Sequence, residues 1–100
     1  MRLKDYQVEA IKEAAQRRFG SNARVYLFGS RTDDTCRGGD IDLYIESDTP
    51  LPDRFRMEQR FEMDLLKALG ERRIDILVWD PEVTTQGIHR RAKETGVELT

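Results

Sequence analysis

The residues most able to do chemistry are acids placed where a chain normally avoids charge. Asp40 and Asp42 stand one residue apart in "DIDLYIE", and Asp75 interrupts the apolar run "RIDILVW". Residues two apart in a strand project to the same side, so Asp40 and Asp42 are expected to present neighbouring carboxylates. Unpaired, these would repel each other, and withdrawing charge from water is costly without a counter-charge. A hard divalent cation is the economical counter-charge, since magnesium favours carboxylate and water oxygens and commonly shares its shell with substrate phosphates. A lysine or arginine is the alternative. If the strand bearing Asp75 lies beside that bearing Asp40 and Asp42, three carboxylates meet on one sheet face. Such a cluster suits two metal ions and in-line displacement at phosphorus.

A second element sits upstream. "RVYLF" ends in Gly29-Ser30, followed by Arg31. Glycine lets a phosphate approach the backbone, while the following N–H and hydroxyl groups can donate to its oxygens. A lone Gly-Ser says little. Placed after a strand and nine residues before the Asp-x-Asp strand, it points to phosphate binding.

The elements that must position these residues follow from periodicity. Val8, Ile11, Ala15 and Phe19 recur at helical spacing, with Asp5 as the expected N-cap and Gly20 as the stop, so a helix is expected over about residues 5–19. Arg24 to Phe28 reads as a strand and the polar stretch Arg31 to Gly39 as a loop. In the next strand Ile41, Leu43 and Ile45 share one face, and Asp40, Asp42, Tyr44 and Glu46 the other. Met57, Phe61, Leu65, Ala68 and Leu69 line a long helix ended by Gly70. Ile74, Ile76 and Val78 oppose Asp75, Leu77 and Trp79 in a third strand closed by Asp80-Pro81. A last helix is expected after Thr84 or Thr85, carrying Ile88 and Ala92, with a short edge strand in "GVELT". The fold class is therefore α/β (α+β), a small mixed sheet of three to four strands packed with helices, with residues 1–100 as one domain.

Composition narrows the functional classes. The chain has 100 residues, 38% hydrophobic and 36% charged, with a net charge of −2, which gives no general attraction to polyanions and argues against a dedicated nucleic-acid binder. One cysteine, Cys36, and one histidine, His89, cannot build a disulfide or a Cys/His zinc site within a single chain. No apolar run suggests a signal peptide or membrane span, so a cytoplasmic location is expected. Cys36 reads as an ordinary thiol and His89 as a surface helix residue. Tyr44 is expected to pack rather than stack on a base, and the basic clusters to form solvated faces.

"FGSRTDDTCRGGDIDL", followed by the later acid of "RIDILVW", resembles the signature of the minimal nucleotidyltransferases (MNT) of the DNA polymerase beta superfamily. The resemblance spans most of the chain and implies a polymerase beta-like nucleotidyltransferase fold. It implies that Asp40 and Asp42 are metal ligands, and that Asp75 is a third carboxylate, also at the metal, that orients or deprotonates the acceptor hydroxyl. Gly29 and Ser30 become the triphosphate-binding pair; Arg31, by its position directly after that turn, is a further candidate phosphate contact. It further implies Mg²⁺, two ions, with ATP as donor. Family members often carry another glycine four residues after the Ser and a Ser before the first Asp; here those positions hold Asp34 and Gly39. Many stand-alone members resemble antitoxins paired with a HEPN-family RNase toxin, onto whose tyrosine they transfer AMP. The rival expectations are an antitoxin that neutralises by binding alone and, ranked last, a transferase acting on a small molecule such as an aminoglycoside.

Overall fold

The computed structural model describes residues 3–28, 41–70 and 72–100. Its elements run α1 (Asp5–Phe19), β1 (Arg24–Phe28), β2 (Ile41–Glu46), α2 (Arg54–Leu69), β3 (Ile74–Trp79), α3 (Gly87–Thr95) and β4 (Val97–Glu98). The four strands form one mixed sheet in the order β3-β2-β1-β4. β1 is antiparallel to β2 and β4, and β2 is parallel to β3. The parallel pair requires a crossover, and α2 supplies it. This is a small α+β fold, a mixed sheet packed with helices.

The alternation of apolar residues along the strands separates two faces. Val25, Leu27, Ile41, Leu43, Ile45, Ile74 and Val78 join Ile11, Phe19, Phe61 and Leu65 in the main core, beneath α1 and α2. Phe19 and Phe61 meet edge to face with ring centroids 5.2 Å apart, the arrangement favoured by aromatic quadrupoles. At the rim of this layer Arg18 donates from Nε to Asp64 Oδ2 at 2.6 Å, tying α1 to α2. The opposite face carries Tyr26, Tyr44 and Ala92 of α3, with Phe28, Leu77 and Trp79 packed around them.

The helix ends largely follow the sequence reading. Gly20 and Gly70 end α1 and α2 with φ of 97° and 83°, a region that other residues enter only at a cost. Asp5, however, is the first helical residue rather than the cap. Lys4 occupies the N-cap position, its backbone N–H donating to Gln7 Oε1 at 2.9 Å. Asp53 caps α2 through the Arg56 N–H. Along α2, Ala68 is exposed and Leu66 takes the half-buried position. Two corrections concern α3: Ile88 is 55% exposed, whereas His89 is buried at 7%. The apolar stripe of this helix is thus turned by one residue, because α3 seats His89 and Ala92 on the sheet.

Asp80, read from sequence as a turn former, is fully buried. Its carboxylate accepts the Leu51 N–H at 2.9 Å, the Glu82 N–H at 2.8 Å and Arg54 Nη1 at 3.3 Å. Burial alone would raise its pKa, but these donors outweigh burial and hold it below the ordinary carboxylate value. The loop before α2 is thereby pinned to the end of β3.

Candidate active site

Strand register arranges the second sheet face into three rows. Phe28, Asp42 and Asp75 form the first, Tyr26, Tyr44 and Leu77 the second, and Arg24, Glu46 and Trp79 the third. Neighbouring strands lie about 4.8 Å apart, so Asp42 and Asp75, partners across the parallel β2–β3 pair, bring their carboxylates onto the same patch. Asp42 is half-buried and Asp75 exposed. Asp75 Oδ2 lies 3.4 Å from Arg73 Nε, with both side chains more than half exposed at 52% and 71%. An exposed pair of this kind holds its partners weakly.

Around the two acids is an open cavity of ≈ 390 Å³ lined by Phe28, Asp42, Arg73, Asp75, Leu77 and Ile88, among others. Its walls are apolar apart from the acids and Arg73. Carboxylate oxygens of this kind fit a hard cation such as Mg²⁺, which needs only one or two protein ligands beside phosphate and water. Among the described residues no group of three His, Cys, Asp or Glu is gathered for a metal. Asp40, the third expected ligand, lies outside the described residues, as do Gly29, Ser30, Arg31 and Cys36. The expected pairing of Asp42 with Asp75 is therefore present, and the remainder of the motif adjoins it in sequence, after β1 and before β2.

The third row was missed as a polar centre. Glu46 is buried at 7%, and its Oε1 accepts from Lys93 Nζ at 3.1 Å, with Arg24 Nη2 also at 3.1 Å. Its Oε2 accepts from Tyr44 Oη at 3.1 Å. Burial works to raise the Glu46 pKa, but Lys93, Tyr44 and Arg24 together bring it below the ordinary value. The same burial, reinforced by the adjacent Glu46 charge, raises the Tyr44 phenol well above its usual range. Tyr44 packs on Tyr26, with ring centroids 5.7 Å apart, so the expectation that it packs holds. The signal for this cluster lay in Glu46 sharing a face with Tyr44; only the placement of α3 reveals the cation above it.

The four-stranded mixed sheet thus carries Asp42 and Asp75 as register partners at one end of a face. The chain belongs to the nucleotidyltransferase domain family, whose model matches residues 8–98. A search of the curated proteins returns no match. No helix among the described residues is long and apolar enough to cross a membrane.

Proposed function

We propose that this nucleotidyltransferase is a Mg²⁺-dependent enzyme that moves AMP from ATP to a tyrosine hydroxyl of a partner HEPN-family RNase, acting as its antitoxin. The observation that carries this reading is the in-register pairing of Asp42 with Asp75 at one end of an open sheet face. Asp40, Asp42 and Asp75 are the proposed metal ligands, and Gly29, Ser30 and Arg31 the proposed phosphate contacts. Magnesium bound there would neutralise phosphate charge and favour the ionised acceptor oxygen.

The chain's own residues have separate tasks in this scheme. Asp75, exposed beside the cavity, orients the acceptor hydroxyl and takes its proton as the new bond to the α-phosphorus forms. The bond from that phosphorus to pyrophosphate breaks, and pyrophosphate leaves with the electron pair. Phe28, Leu77 and the 55%-exposed Ile88 offer an apolar wall next to the acids, which suits the ring of a tyrosine better than an aliphatic hydroxyl. A cytoplasmic location accords with an intracellular RNase as partner.

The test combines the purified chain, its partner, Mg²⁺ and ATP labelled in the α-phosphate. Label should reach the partner and disappear with Asp42→Asn. Absence of label, or equal transfer by the variant, overturns the reading. One observation favours a second reading, neutralisation by binding alone: Arg73 lies against Asp75, a place that a cation would otherwise occupy. In that case the Asp40→Asn/Asp42→Asn double variant neutralises the partner fully.

A further inference from the structure

The third row of the sheet face borders a second cavity of ≈ 340 Å³, lined by Tyr44, Glu46, Asp48, Trp79, Thr85, His89, Arg90 and Lys93. Glu46 lies four positions after Asp42 on β2, roughly 13 Å along the strand. Between them α3 sits on Tyr26 and Tyr44, so this cavity is a place apart from the acids.

Its hydrogen-bonding groups are unevenly used. Both Glu46 oxygens are occupied, by Lys93 and Arg24 on one side and by Tyr44 on the other. Asp48 Oδ1 already accepts from Arg24 at 2.8 Å. The donors are freer. His89 Nδ1 accepts the Gln86 N–H at 2.9 Å, which leaves Nε2–H as the donor of a ring that is buried at 7% and lines the cavity. Among the described residues Arg90 has no ion-pair partner. Lys93 spends one bond on Glu46 and remains 50% exposed. Trp79, its Nε1–H fixed to Thr85 Oγ1 at 3.0 Å, adds a held aromatic plane. A volume of this size falls within the usual range for small-molecule sites.

We propose that this cavity is a binding site for a planar aromatic group bearing an anion, with the ring against Trp79 and His89 and the phosphate or carboxylate held by Arg90, Lys93 and His89 Nε2. Charge-assisted donors fix the anion, while the aromatic walls supply the apolar contact. The site does not depend on the proposed transfer reaction.

Trp79 and His89 are the only tryptophan and histidine of the chain, so each reports on this cavity without labelling. In EDTA, the protein is titrated with adenosine 5′-monophosphate and, separately, with O-phospho-L-tyrosine, following Trp79 emission and the His89 Cε1–H resonance. At least one should bind saturably and shift both signals, and which one does so tells a nucleobase from a phenyl ring. Adenosine and inorganic phosphate alone should bind about tenfold or more weakly, and Arg90→Ala should cost about tenfold in affinity. Because Arg90 is exposed, that variant leaves the core intact. Asp42→Asn should bind within about twofold of the parent, well below the tenfold that marks a lost charged contact. Failure of both phosphorylated rings to saturate overturns the proposal. So does unchanged affinity in Arg90→Ala, or loss of binding in Asp42→Asn, which would move the ligand to the acids.

Discussion

Two groups of carboxylates share one face of this sheet and have opposite surroundings. Glu46, in the third row, is buried and meets a lysine, an arginine and a phenol. Asp42 and Asp75, in the first row, face an open cavity in which Arg73 is the only cation among the described lining residues. A carboxylate whose oxygens are all engaged contributes to holding the fold. Two acids paired across neighbouring strands repel each other, and a bound cation would relieve that repulsion. The contrast sets a buried acid held by the fold against two more exposed acids that are the proposed metal ligands.

The sharpest way to break this distinction is to remove charge at the first row. Asp42→Asn should lower the proposed AMP transfer by on the order of 10²–10³, the scale on which removal of a charge-stabilising group acts. Thermal or urea unfolding should stay within about 1 kcal/mol of the parent, since the change also relieves repulsion by Asp75. A large loss of stability together with activity would place Asp42 among the structural acids.

The converse substitution acts on the other group. Glu46→Gln keeps the shape but gives up charge-assisted bonds to Lys93 and Arg24, and should cost about 1.5–3 kcal/mol in urea unfolding at neutral pH. Transfer by the folded variant should be nearly unchanged. A variant as stable as the parent would mean that the cost of burying the charge cancels the gain from pairing it.

How much of this was legible in the sequence differs between the two groups. Period-two alternation put Asp42 and Asp75 on matching faces, and the β2–β3 register then made them direct partners. The Glu46 centre was hidden because Lys93, one of its two cations, comes from α3, 47 residues away, and a basic run on a short helix reads equally well as a solvated end. His89 was misjudged for the same reason. Helical spacing cannot say which side of α3 meets the sheet when Ile88 and His89 are adjacent candidates, and the tertiary contact chose the histidine. Asp80-Pro81 correctly signalled the end of β3, but its clasp on the Leu51 N–H is a long-range contact with no local signature.

A smaller effect follows from acidity. Lys93, Tyr44 and Arg24 overcome the opposing effect of burial and hold the Glu46 pKa below its ordinary value of 4.5. For an acid whose folded pKa is depressed, the stabilisation is fully present above the unfolded value and is lost as pH falls through the folded one. Parent and Glu46→Gln should therefore differ by a constant amount from pH 7 down to about 5, and converge below about 4.5. Asp64, held low chiefly by its bond from Arg18, and Asp80 share the same sign, so the variant itself should still lose stability in that range. Unfolding midpoints measured across pH 3–7 check this, and a gap that persists undiminished at pH 3 would assign the Glu46 contribution to shape instead of charge.

The least effect is expected at Arg73, which lies beside the first row. Arg73 and Asp75 make an exposed pair with a long 3.4 Å contact, and such pairs contribute about 0–1 kcal/mol. Arg73→Ala should consequently leave stability nearly unchanged. Its consequence lies in competition: with the guanidinium gone, Asp75 no longer divides its charge between Arg73 and an incoming ion, and divalent affinity should rise by up to about fivefold, the equivalent of 1 kcal/mol. Line broadening by Mn²⁺ in NMR spectra measures that affinity without requiring turnover. If the ion binds more weakly to Arg73→Ala, the arginine assists the acids instead of opposing cation entry, and the first row would then resemble the third, a pair of charges satisfied within the protein.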